Sequence, residues 1–242
     1  MTNGPRPAKT VHESPAGIRL GLARALPIVI GYAPVAFAYG VLAQKAGISD
    51  WNIILMSVLV FAGASQFIAV GLMEAAVPAA SIILTTFVVN LRHMILASAL
   101  APHLRRWRVV ELAAFSCQLT DETFALHAST LAAGPPDKKA MFTLNACAQA
   151  AWVLGSWLGV AAGRSIGNVK PFALDFALPA LFTALLALQI RNRFQVLAAA
   201  AGGGLSLLFL GWGLNKWNII LAAVAGAAAG ALAESWTKKR SS

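Results

Sequence analysis

Arg92, Asp121 and Glu122 are the residues of this sequence whose chemistry fits their surroundings least. Arg92 lies in the apolar run "FVVNLRHMILASAL", between Pro78 and Pro102. In a helix rising about 1.5 Å per residue it is about 15 Å from the nearer end. Asp121 and Glu122 are adjacent in "SCQLTDETFALHAST", at the centre of the next apolar run. Every other Lys, Arg, Asp and Glu falls at a run end, in a connection or in a tail. An unpaired charge at the centre of a membrane helix costs about 2.5–3.5 kcal/mol. Arg92 therefore needs a partner or water, and the carboxyls of the next run are the candidate partners. Two adjacent carboxyls in a low dielectric do not both ionise cheaply, so one shifts toward its neutral form unless Arg92 compensates it. A carboxyl held near neutrality is a proton site. The alternative is a static Arg92–Asp121 pair that only locks two helices together.

Two further groups of polar residues sit at mid-run. At 100° per residue, Ser81, Thr85, Arg92 and Ala99 share one stripe, and Thr86, Asn90, His93 and Ala97 share a second. Leu84, Phe87, Leu91, Met94 and Ile95 fill the remaining arc and suit lipid. Such a helix faces protein or a cavity on two sides, with Asn90 and His93 either lining it or serving as interhelical hydrogen-bonding groups. Gly63, Ser65 and Gln66 divide the run 51–76 into two halves of about equal length. Gly and Ser there permit a broken helix, whose free N–H and C=O groups suit the two charged ends of an amino acid. Tight packing through Gly63 and Ala64 without unwinding is the other reading. The candidate binding residues are thus Gly63, Ser65, Gln66, Asn90 and Arg92. The candidate coupling residues are Arg92, His93, Asp121 and Glu122.

The elements that must position these groups are membrane helices. Hydrophobic residues make up 58% of the chain and charged residues 12%, far from the roughly 45–50% and 25% of soluble domains. Eight apolar segments are legible, at roughly 24–44, 51–76, 78–101, 109–133, 139–163, 172–190, 194–214 and 217–236. The expectation is an all-α, polytopic integral membrane protein with seven to eight transmembrane helices, one of them broken or re-entrant. A cytoplasmic tail (1–23) would precede a transporter domain (24–236) and a basic tail (237–242). Apolar sequence starts only near Leu26, without the pattern of a cleavable signal.

The net charge of +10 sits at segment ends, which fits a positive-inside topology and not a nucleic-acid partner. Eight crossings place the N-terminus, Lys138, Lys139, Arg191 and Arg193 in the cytoplasm but leave Arg105, Arg106 and Arg108 outside. A re-entrant 51–76 would bring those arginines inside. "WNIIL" occurs at Trp51–Leu55 and again at Trp217–Leu221, a possible internal repeat. Cys117 and Cys147 read as small buried hydrophobes. Asp175 reads as interfacial, and Asn145 and Gln149 share one helix face. "AAAAGGGLS" (198–206) reads as close helix packing, not a phosphate loop. His12, His93, His103 and His127 have no metal-ligand spacing, and no nucleophile–base set is visible, so neither a cofactor nor an enzyme activity is expected.

Read in order, "FAYGVLAQKAGIS" (37–49), "FAGASQF" (61–67), "NLRH" (90–93), "LAPHLR" (100–105) and "LTDETFAL" (119–126) resemble the AzlC family. "DFALPALF" (175–182) continues the likeness more loosely. That family is the larger subunit of bacterial branched-chain amino-acid exporters. The resemblance implies a secondary exporter of leucine, isoleucine and valine in the bacterial inner membrane, working with a small AzlD-type membrane subunit and without ATP. "NLRH" is followed here by "MILASA", where the family more often has an aromatic residue, and this bears on substrate range. The alternative is a passive channel or a structural membrane subunit whose buried ions only hold helices together.

Overall fold

A computed structural model describes residues 15–166, 176, 179–180, 183, 186–187, 190, 193–213 and 218–240. Its helices are α1 (Pro15–Lys45), α2 (Asp50–Leu59), α3 (Gly63–Glu74), α4 (Ala79–Leu100), α5 (Val109–Cys117), α6 (Asp121–Ala133), α7 (Lys138–Gly163), α8 (Arg193–Gly211) and α9 (Asn218–Arg240). No strand occurs among the described residues. Asp175, Arg191, Trp217 and most of the segment 172–190 lie outside them. Among the described residues, four stretches are long and apolar enough to cross a membrane: Gly17–Lys45, Ala79–His103, Lys138–Gly163 and Arg193–Gly211.

The chain divides into two compact units, Met1–Ala177 and Leu178–Ser242. In the second, α8 and α9 pack closely. A Cβ at Gly226 would stand 2.7 Å from the Gly202 backbone, and one at Gly230 would stand 2.6 Å from Ala198 Cβ. The run "AAAAGGGLS" is the close-packing surface its composition implied.

In the first unit, α1 and α7 lie side by side along their whole length and run parallel. Gly17 meets Asp137, Gly21 meets Ala140 and Thr143, Ala36 meets Gly155, and Gly40 meets Ser156 and Gly159. The approach is backbone to backbone: a Cβ at Gly159 would stand 2.1 Å from the Phe37 carbonyl, and one at Gly40 2.2 Å from that of Ser156. Only glycine fits such a seam.

The segment 51–76 breaks as its Gly and Ser residues permitted. Helix α2 runs antiparallel to α7. Asp50 pairs with Arg164 at the end of α7, Ser57 donates to Ser156 (2.8 Å), and the Val58 carbonyl accepts from Gln149 (2.9 Å). After Val60–Ala62 the chain turns back: Gly63 lies on Trp152, and Phe67 packs on Tyr39 at 5.7 Å. Thus α2 and α3 form a hairpin, A, that enters from the Lys45 end, reaches mid-depth and returns. Each arm is short: α2 has ten residues, about 15 Å of helix against a hydrocarbon core of about 30 Å.

The segment 109–133 is a second broken run, where a continuous helix was expected. At its start Glu111 pairs with Lys138 (2.7 Å), and Trp107 stacks on Phe142 at 5.4 Å. Gln118 then reaches Gln149 (2.8 Å), which marks the ascent of α5. On the way back, His127 bonds Asn145 (2.8 Å), and Leu131 joins Met141 in a buried cluster with Leu100, Leu104 and Phe115. Helices α5 and α6 therefore form hairpin B, entering from the Lys138 end. Asp121 is the first residue of α6, not the midpoint of a long helix. Cys117 is exposed at the end of α5 and Cys147 is partly exposed, so neither is the buried hydrophobe expected.

With two hairpins that double back, α1, α4 and α7 run in alternating directions. This settles the conflict over Arg105, Arg106 and Arg108. They share an end with Arg19, Arg24, Lys138 and Lys139, whereas Lys45 and Arg164 stand at the other. The string crossing helix, hairpin, crossing helix also occurs twice with inverted direction. Asp50 to Val109, Gly63 to Asp121 and Ala79 to Lys138 are the same step along the chain to within one residue. Such equal spacing is the pattern an inverted repeat produces, and the two "WNIIL" runs are not one such step apart.

Candidate functional site

The two hairpin tips meet at mid-depth, and their local chemistry differs. At tip A, Phe61 has φ +42°, a left-handed conformation costly for an aromatic residue, and is buried. The amides of Val60 and Phe61 both bond the Met56 carbonyl (3.0 and 3.3 Å), closing α2. No side chain caps Ala62, so the first N–H groups of α3, at Gly63, Ala64 and Ser65, have no intrahelical partner. Tip B is capped instead. Thr123 N–H donates to Thr120 Oγ1 (3.3 Å), and Thr120 N–H donates to Thr123 Oγ1 (2.9 Å). Asp121 and Glu122 then occupy the first turn of α6, where the helix dipole favours negative charge.

Each of the three crossing helices holds both tips. From α4, Asn90 Oδ1 accepts from Ser65 Oγ at tip A (2.5 Å), while Arg92 Nη1 pairs with Asp121 Oδ2 at tip B (2.9 Å). One residue of each stripe thus reaches a hairpin, Asn90 to A and Arg92 to B; Ala97 of the Asn90 stripe packs instead on the buried cluster of hairpin B, and Leu84, Phe87, Leu91, Met94 and Ile95 face outward. From α1, the Tyr32 ring packs edge-on against Phe61 (6.4 Å) and Trp152 (5.3 Å). Its hydroxyl donates toward Glu122 Oε2 (2.6 Å) and Thr120 Oγ1 (2.7 Å), one at a time because it carries one proton. From α7, Gln149 Oε1 accepts from Gln118 and Gln149 Nε2 donates to the Val58 carbonyl. Trp152 Nε1 donates to Gln66 Oε1 (2.9 Å), and Gln66 Nε2 donates to Ser57 Oγ (3.2 Å).

The sequence-derived residues therefore divide into three groups. Gly63, Ser65, Gln66 and Asn90 gather at tip A, and Arg92 and Asp121 form an ion pair. Glu122 turns away from Asp121 toward Tyr32. Successive residues on a helix point about 100° apart, so the adjacent carboxyls go to different partners instead of repelling across one site. His93 makes no hydrogen bond among the described residues. Gln66 is fully buried with both ends of its amide engaged. Arg92 keeps a buried Nε without a partner, and its side chain and that of Asp121 remain 28% and 24% exposed. No cluster of His, Cys, Asp and Glu suited to a metal occurs among the described residues.

Tyr32, Thr120 and Trp152 are the site residues that sequence reading did not single out, while Gln149 was visible only as sharing a helix face with Asn145. Thr120 carried a signal: a hydroxyl residue followed by two acids is the start of a helix. Tyr32 and Trp152 look like ordinary aromatic residues of apolar runs, and nothing in their spacing joins them to the tips.

Half-helices of opposite approach that meet at mid-depth beside a half-buried ion pair define a helical membrane protein of the transporter kind. The AzlC protein family matches residues 27–166, which include both hairpins, and the chain belongs to that family. An uncharacterized membrane protein of Archaeoglobus fulgidus is 38% identical over 213 residues, covering 87% of this chain and 93% of the relative. The inner membrane protein YgaZ of Escherichia coli is 31% identical over 219 residues, covering 88% and 87%. The branched-chain amino acid transport protein AzlC of Bacillus subtilis is 26% identical over 196 residues, covering 81% and 76%. No solved structure matches the chain.

Proposed function

We propose that this chain is the larger subunit of a secondary exporter of branched-chain amino acids such as leucine, isoleucine and valine. It would lie in the bacterial inner membrane, with its basic end cytoplasmic, and move substrate outward against inward proton flow beside a small AzlD-type subunit. The Bacillus subtilis relative's name supports the substrate class, and the Escherichia coli relative's name supports the membrane. Export and the partner rest on the family resemblance.

One observation carries the mechanism: an uncapped half-helix start and an arginine–carboxylate pair lie together at mid-depth. The free N–H groups of α3 suit a substrate carboxylate, and carbonyls at the end of α2 suit its ammonium. Gly63, Ser65 and Asn90 border that place, and Gln66 braces it through Trp152 and Ser57. Arg92 either keeps Asp121 or takes the substrate carboxylate; in the second state Asp121 loses its counter-charge and binds a proton. Glu122, held by Tyr32, and His93, next to Arg92 in the chain, are the further proton sites. Asp121→Asn is expected to abolish export driven by a pH gradient while membrane insertion stays normal. Labelled-leucine export, with and without an uncoupler, measures it. Undiminished uphill transport by the variant would refute the role of Asp121, and only downhill flux in the native protein would identify a passive pore.

A further inference from the structure

The packing of the first unit is uneven in a way that bears on motion. Helices α1 and α7 touch backbone to backbone at Gly40 and Gly159, where no side chain stands between them. The hairpin tips are instead held by individual side-chain hydrogen bonds and one ion pair. Such contacts break and reform, so displacement falls at the hairpins and not at the α1–α7 seam. The two hairpins also enter from opposite ends, so withdrawing one tip opens mid-depth toward one side only.

Gln149 occupies a particular place in this arrangement. Its single planar amide binds hairpin B through Gln118 and hairpin A through the Val58 carbonyl. That carbonyl belongs to the last turn of α2, where carbonyls lack a helical partner, so it requires an external donor. An ammonium group is the chemical replacement for the amide N–H at such a carbonyl. Resting on the transport reading above, we infer that Gln149 is the latch shared by two opposed gates. It is a positioning residue that holds both tips on α7 in the closed state and releases them one at a time. Release at Gln118 opens the end that bears Arg105–Arg108; release at Val58, with substrate ammonium in place of the amide, opens the other.

The test uses the full-length protein in oriented membrane vesicles and two independent readouts. Leu119, next to Gln118, is buried, so Leu119→Cys in a chain with Cys117 and Cys147 replaced by Ala is a reporter that stays closed off until tip B withdraws. With a membrane-impermeant maleimide on the Arg105–Arg108 side, adding Gln149→Leu is expected to label the thiol at position 119 about tenfold faster, the loss of one hydrogen bond in the closed state. An unchanged labelling rate overturns the latch. In the second arm, Gln118→Cys and Gln149→Cys, in a chain with Cys117 and Cys147 replaced by Ala, are bridged by a short bis-methanethiosulfonate. Leucine export is expected to stop on bridging and return on reduction, and full export by the bridged protein overturns the gate. If the reduced double variant does not export, the labelling arm alone decides. Failure of the transport reading is distinct, since it appears as absent uphill export in the native protein.

Discussion

Arg92 and Asp121 are each about a quarter exposed, and this sets what their pairing contributes. A fully buried pair that loses one partner costs about 3–5 kcal/mol, whereas an exposed one costs under about 1 kcal/mol. Arg92→Gln is therefore expected to lower stability by about 1–2 kcal/mol, read as thermal unfolding in detergent. Arg92→Gln with Asp121→Asn removes both charges and is expected to recover most of that loss. The double variant also separates the two readings of the pair. If the pair only locks helices, the double variant exports normally; if it couples protons, the protein is stable and inactive. The type and isolation of these two residues were legible in the sequence, because a charge in an apolar run has few physical explanations. That Asp121 opens a half-helix was legible only as the weak capping pattern of "LTDET". That Glu122 faces Tyr32 was not legible, since it depends on which helix stands on each side of α6.

At the scale of elements, the glycine seam gives the clearest prediction. Gly159→Ala places a methyl 2.1 Å from the Phe37 carbonyl, where only backbone movement relieves the clash. Overpacking of this kind costs about 1–3 kcal/mol or more. Gly31→Ala, on the same helix pair but with nothing within 4 Å of the added Cβ, is expected to be neutral or stabilising by up to about 1 kcal/mol. A comparison of detergent melting curves for the two variants checks this. Reversal of that order would show that α1 and α7 do not pack through this face. The glycines are visible in the sequence, but an apolar helix carries many small residues. Only the paired approach distinguishes Gly40 and Gly159, which make the seam, from Gly31, which does not.

For the first unit as a whole, the prediction is topological. Cysteines introduced at Arg106 and Asp137 are expected to label from the same side of the membrane, and one at Gly47 from the other. Labelling of Arg106 and Gly47 from one side would instead mean that hairpin A crosses, and labelling of Arg106 and Asp137 from opposite sides that hairpin B does. The basic end is expected to be cytoplasmic. This arrangement turns two runs that each looked like a span into a pair of opposed half-crossings around three full ones.

The sequence alone determined the composition class, the helical character, the family likeness and the short inventory of charged groups at mid-depth. These follow from local facts: hydropathy over a window, and the cost of a charge in hydrocarbon. Tertiary structure alone decided which runs cross and which double back, because a run of about 25 apolar residues covers either path at nearly the same burial. It also decided that the mid-depth groups converge, through Tyr32, Asn90, Arg92 and Gln149, each bound to a hairpin distant in the chain. Those contacts depend on the relative direction of three helices, which no local spacing encodes.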